Sequence, residues 1–194
     1  MLYDFFMANL TQVMHAWPHI ISLGSLFLLI NVYLLKTART RHRKMTVKSL
    51  LCVFFLSLSE ALILAMTLSG REPGAERHFR LQPFWSYREA FFHGKTGLGI
   101  QIISNILLFI PLGGMLPLNF RWFDRLRKAV LVCVLLSISI EIIQGVTGMG
   151  LCETDDMMGN TLGGALGFGI WKFWQCKFRT KPSKTKVEKR VDFV

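Results

Sequence analysis

Five apolar runs constrain this chain more than any other feature. They are His19 to Leu35, Ser49 to Ser69, Leu98 to Leu118, Ala129 to Thr147 and Asn160 to Cys176. A helix of about 20 residues crosses a bilayer core, and only a helix or a closed barrel satisfies its own backbone there. The runs therefore predict an all-α membrane protein, a bundle of about five transmembrane helices with an outer interfacial segment; the first and last runs are short. With 194 residues, 52% of them hydrophobic, the chain has length for one such bundle. It divides into an N-terminal outer interfacial segment (1–18), two N-terminal spans (19–66), a motif-rich transmembrane region (67–178) and a basic tail (179–194). The start, MLYDFFMANLTQVMHAW, lacks the basic residues and compact apolar core of a cleavable signal peptide. It reads instead as an interfacial helix.

A formal net charge of +11 raises the question of nucleic acid, and the placement of the charge answers it. Eighteen of the 23 basic residues fall between Lys36 and Lys48, between Arg121 and Lys128, or from Lys172 onward, all on one side of a five-span bundle. The positive-inside rule then puts the N-terminus outside and the C-terminus in the cytoplasm. The charge reports topology and an anionic inner leaflet, and no nucleic-acid partner is expected. The tail KFRTKPSKTKVEKR is charged and poor in apolar residues, the composition of a solvated segment.

Four cysteines stand at no metal-ligand spacing and form no disulfide framework. No metal or cofactor site is read from them. Between the second and third runs, Gly70, Pro73 and Gly74 break the helix, and RLQPFWSYREAFFHGKTG follows. Ser86 and Glu89 have capping-box spacing for a short helix that Gly94 would end. Phe84, Trp85, Tyr87, Phe91 and Phe92 supply aromatic surface suited to the membrane interface.

Polar residues interrupt three of the runs. In LGIQIISNILLFIPLGGMLPL, Gln101 and Asn105 share a helix face, Pro111 frees the carbonyl of Leu107, and Gly113 and Gly114 permit close backbone approach. In the fourth run, Ser137, Glu141 and Gln144 form one stripe. A carboxylate at the centre of a spanning helix costs about 3 kcal/mol on insertion scales, so Glu141 is expected to face the bundle. Asp155 and Asp156 favour the positive end of the fifth helix. Asn160 follows on the face of Asp156, and Gly159, Gly163 and Gly167 make two overlapping GxxxG units. The sequence therefore predicts a polar site with Asn105, Glu141, Gln144 and Asn160 as floor and Asp155 and Asp156 as rim. Pro111, Gly113, Gly159, Gly163 and Gly167 would pack the helices. The alternative is a buried hydrogen-bond network that fixes helix register. Glu60, the other carboxylate within a span, has only Ser57 near it on its stripe.

Three segments, NILLFIPLGGMLP (105–117), SISIEIIQ (137–144) and DDMMGNTLGGALGFG (155–169), together resemble the VanZ-like family of bacterial membrane proteins. The resemblance runs from about Thr67 to Phe178 and includes LQPF at 81–84. Two departures stand out. Arg80 occupies a place where Asn is usual, and GMGLCE replaces the family's frequent Gly-Arg step before the acidic pair. Any contact which that Arg makes with an acidic group would be missing here. The family is named for a protein that gives low-level resistance to teicoplanin, a lipid-tailed glycopeptide antibiotic. The resemblance thus implies a protein of the bacterial plasma membrane acting at its outer face.

Three functions fit these residues. A membrane binding protein would hold an amphiphile, such as a lipoglycopeptide or a lipid-linked cell-wall precursor, with its head near the acids and amides. An intramembrane enzyme would use Glu141 and Asp156 as general acid and base, with a divalent ion at Glu153, Asp155 and Asp156 as one option. Against it, no His adjoins that cluster in sequence, and no nucleophile motif or phosphate-cradling loop is present. A scaffold would dock an envelope complex through its glycine face.

Overall fold

The computed structural model describes residues 2–38, 46–68 and 78–178. The loop over 39–45, the helix-breaking glycines and proline of 69–77 and the tail from 179 lie outside them. Six α-helices carry the fold: α1 (Leu2–Ala38), α2 (Val47–Leu68), α3 (Trp85–Phe92), α4 (Thr96–Asn119), α5 (Leu126–Thr147) and α6 (Thr154–Phe178). Two three-residue strands, β1 (His78–Arg80) and β2 (Leu151–Glu153), pair in parallel. The protein is an all-α membrane protein in its architecture.

Among the described residues four helices are long and apolar enough to cross a membrane: Met14–Thr37, Val47–Leu68, Thr96–Asn119 and Leu126–Thr147. The fifth expected span, Asn160 to Cys176, forms a helix of full length but does not join them. Five glycines between Gly159 and Gly169, together with Asp155, Asp156 and Asn160, dilute its apolar character. What replaces that character is contact with the bundle. Of the N-terminal segment, residues 2–18 are continuous with the first span in one 37-residue helix that runs through Pro18. At 1.5 Å per residue that helix is about 55 Å long.

Neighbouring contacts give the directions. Asn31 of α1 meets Ser57 and Glu60 of α2, and Gly24 lies beside Ala61, so α1 and α2 are antiparallel. Asn119 at the end of α4 donates to the Cys52 carbonyl near the start of α2 at 3.0 Å, so these two are antiparallel as well. α4 and α6 run parallel: Gly159 lies by Ile102 and Asn105, Gly163 by Ile106, and Gly167 by Ile110 and Gly114. α5 runs opposite to both, with Cys133 against Gly164 and Ser137 against Asn160. Leu56, Ile63, Phe109, Leu112, Cys133, Ile140 and Phe168 fill the centre.

The seam between α4 and α6 is a backbone contact. A Cβ on Gly163 would collide with the carbonyl oxygen of Ile106, one on Gly167 with that of Ile110, and one on Gly113 with that of Gly164. Small residues of this kind let helices approach where lipid offers no hydrophobic drive to association. Pro111 and Pro117 both lie inside α4 without ending it. Gly169, two residues beyond Gly167 and so on the other side of the helix, has nothing within 4 Å of its Cβ position.

This geometry predicts opposite signs for two glycine substitutions. Gly163→Leu must displace backbone, so it should cost more than the about 1–3 kcal/mol usual for an overpacked core and lower the melting temperature in detergent. Gly169→Ala should raise stability by up to about 1 kcal/mol through helix propensity. Equal melting of the two variants would contradict a backbone seam.

Candidate functional site

At one end of the bundle α2 and α5 finish while α4 and α6 begin. The short chain stretches between them close over this end. β1 pairs with β2 so that Phe79 stands opposite Cys152 and Arg80 opposite Glu153. Gly145 near the end of α5 makes room, since a Cβ there would lie 2.7 Å from the Phe79 ring. Then Pro83 and Phe84 turn the chain into α3. Phe84 has φ 62° and ψ 12°, a left-handed conformation that a bulky residue adopts only when its surroundings hold it.

Asp155 is what holds it. One carboxylate oxygen accepts from the Phe84 backbone N–H at 2.6 Å, the other from the Ser86 N–H at 2.7 Å. The expected capping box at Ser86 and Glu89 is therefore not formed. α3 starts two residues earlier than that spacing requires and has no side-chain cap of its own, because a carboxylate from α6 serves its N-terminal amides. The Ser86 hydroxyl donates instead to Glu153 at 3.3 Å, and Glu89 pairs with Lys95 at 2.6 Å. That lysine holds the Glu89 carboxyl below its usual range. Gly94, with φ 68°, ends the helix region as the sequence implied.

Behind this cover lies a pocket of about 480 Å³. Asn105, Glu141, Gln144, Asp156 and Asn160 line it, so five of the six sequence-derived ligand-binding candidates come together there. Asp155 is not among the lining residues. Gln101, Ser104, Thr67 and Glu153 join the wall, and Met66, Ile100, Leu108 and Leu151 add apolar surface.

Hydrogen bonds knit the polar wall. Gln101 donates to both oxygens of Asp156 at 3.0 Å and reaches Glu153 at 3.4 Å. Glu153 accepts from Arg80 at 2.7 Å, and the Arg80 guanidinium lies 3.7 Å above the Trp85 ring. The Glu153 backbone N–H donates to Glu141 at 2.8 Å. Gln144 donates to the Thr67 carbonyl at 2.9 Å, satisfying one of the last carbonyls of α2. Asn160 donates to the Ser137 hydroxyl at 2.8 Å. Three buried side-chain polar atoms among the described residues find no partner, and two of them, Asn105 Nδ2 and Asn160 Oδ1, belong to this wall.

The arrangement is acidic. Glu141, Glu153 and Asp156 face one pocket, and Arg80 pairs with one of them. Burial, then the Glu141 carboxylate, pushes the neighbouring Cys152 thiol up, and burial followed by Asp155 and Asp156 does the same to the Tyr87 hydroxyl. The option of a divalent ion at Glu153, Asp155 and Asp156 fails on geometry. Among the described residues no group of three such side chains converges as ion ligands, and Asp155 has turned both oxygens to α3. Glu60 does not reach the pocket either: Asn31 of α1 donates to it at 2.6 Å and to Ser57 at 3.2 Å.

Gln101 and Ser104 were within reach of sequence reasoning, since both fall on the Asn105 side of α4. Arg80 was not. The resemblance suggested that an arginine contact was lost before the acidic pair, yet Glu153 has its arginine, contributed by the paired strand.

The VanZ/LLP1 family profile matches residues 50–175. Protein VanZ of Enterococcus faecium is 34% identical over 96 residues, which are 50% of this chain and 53% of that protein. The chain thus spans about half the length of the curated relative it matches. No solved structure matches the chain.

The Asp155 contact carries a prediction. Hydrogen bonds to a charged group contribute about 1.5–3 kcal/mol each. Asp155→Ala should therefore raise the hydrogen-exchange rate of the α3 amides by at least about thirtyfold, the factor for losing one such bond of about 2 kcal/mol. Asp155→Asn, which keeps one acceptor, should fall between. Unchanged exchange in α3 would show that Asp155 is not its anchor.

Proposed function

The chain is a membrane protein of the VanZ/LLP1 family, and on that footing we propose that its pocket faces the outside of a bacterial plasma membrane and binds an amphiphilic molecule, contributing to tolerance of lipid-tailed glycopeptides such as teicoplanin or to envelope homeostasis. One observation carries the reading: a cavity of about 480 Å³ in which amides and carboxylates meet apolar side chains within a membrane bundle. A head group would occupy the end near Gln101, Glu153 and Asp156. An acyl chain would lie toward Met66, Ile100 and Leu108.

The placement of charge supports the outward direction. Lys36, Lys48, Arg121, Arg125, Arg127, Lys128, Lys172 and Lys177 all belong to the opposite end of the bundle. Basic residues at that end are favoured on the cytoplasmic side. The N-terminus of α1 and the pocket then share the outer side, and the tail is cytoplasmic. Lipid-linked cell-wall precursors and lipoglycopeptides both reside at that outer face.

Glu141 and Asp156 on the same pocket wall also favour a second reading, an intramembrane enzyme that uses them for proton transfer. Binding without turnover is the simpler use of the site, because no nucleophile motif or ion-ligand cluster accompanies the carboxylates among the described residues.

The test is bacterial growth inhibition by teicoplanin and by vancomycin, which lacks the lipid tail. Cells would express wild type, Glu141→Gln or Asp156→Asn at matched membrane levels. Protection against teicoplanin alone, lost in both variants, is the expected result. Equal protection by all three proteins would remove the pocket from the account. Conversion of a lipid-linked precursor to a new product, abolished by either variant, would favour the enzyme.

A further inference from the structure

The unpartnered amide atoms in the pocket wall say more about the ligand than its acidity does. Asn160 is 2% exposed and already spends its NH2 group on Ser137, which leaves Oδ1 as an acceptor without a donor. Asn105 leaves Nδ2, a donor without an acceptor. The two residues are neighbours across the α4–α6 seam, because Gly159 packs against Asn105 and Asn160 follows it in the chain. A buried polar atom without a partner is costly, so an occupant that serves both atoms is favoured over one that serves a single atom.

Charged head groups fail this condition. A phosphate only accepts, leaving Asn160 Oδ1 bare, and it meets Glu141, Glu153 and Asp156 at close range. A substituted ammonium is drawn to those acids but offers nothing to Asn105 Nδ2. A hydroxyl both donates and accepts, and adjacent hydroxyls on one ring serve both amides while further ones reach the carboxylates. Resting on the amphiphile-binding reading above, we propose that the pocket selects an uncharged, hydroxyl-rich head group, such as a sugar ring carried on an acyl chain, with Asn105 and Asn160 as the residues that determine this specificity.

The experiment uses the full chain in lipid nanodiscs and three photoreactive probes with the same twelve-carbon chain, bearing a glucoside, a phosphate or a trimethylammonium head. Covalent attachment is read by mass spectrometry and mapped to peptides of α4 and α6. The glucoside should label the pocket peptides about fivefold or more above the other two, the ratio expected from one further hydrogen bond made. Asn105→Asp, which exchanges the free donor for an acceptor in the same shape, should abolish that preference, and Asn160→Leu should weaken glucoside labelling. The melting temperature of each variant confirms that it is folded. Equal labelling of the pocket by all three probes would overturn the head-group proposal and leave amphiphile binding standing, as would preference for phosphate or ammonium. Absence of pocket labelling by any probe would overturn both.

Discussion

Everything at the pocket depends on how closely α4 and α6 approach. Where Gly163 and Gly167 meet the carbonyls of Ile106 and Ile110, no side chain separates the helices. That contact sets their register, and the register sets the chemistry. Gln101 comes level with Asp156, and Asn105 comes beside Gly159 and Asn160. The parallel direction of the pair also puts both helix N-termini at one end, where the positive ends of two helix dipoles favour the carboxylates gathered there. A polar cluster in a membrane bundle is expensive unless it is organised. Here the seam does the organising.

The acids and amides that cluster in the sequence have divided their labour in the fold. Asp155 secures α3 and the strained turn at Phe84. Gln144 finishes α2 by taking the Thr67 carbonyl. Arg80 and Glu153 lock the two short strands together against Trp85. These contacts build a cover over the bundle's end, and the groups beneath it line a cavity. Structural contacts and cavity lining thus share a single network, so the register-fixing alternative and the pocket are two aspects of one arrangement.

How much of this was legible follows from range. Long apolar runs announce helices directly, because span length is a local property, and the stripes of α4, α5 and α6 converge because each is a helix-face pattern. Asp155 and Asp156, adjacent in the chain, read as equivalent, but successive helical residues point about 100° apart, and only one faces the pocket. Three-residue strands carry no period, so the pairing of His78–Arg80 with Leu151–Glu153 left no signal. The capping box at Ser86 was a local pattern overridden by a carboxylate 69 residues away. α6 looked like a lipid-crossing helix by length, yet its glycines serve contact with α4 at the expense of apolar surface. Glu60, isolated on its own stripe, found its partner on another helix, Asn31.

The central claim is that the acidic pocket between α4, α5 and α6 is the proposed outward-facing site. Its most direct test is thiol accessibility in intact cells, on a background lacking the four native cysteines. Ser104→Cys places a thiol in the pocket wall, and Ile103→Cys places one on the outer surface of the same helix. A membrane-impermeant cationic thiosulfonate added outside should modify Ser104→Cys readily and faster than its anionic counterpart does, while Ile103→Cys stays unmodified in lipid. If Ser104→Cys were inert, or were reached only from the cytoplasmic side, an outward-facing pocket would be contradicted.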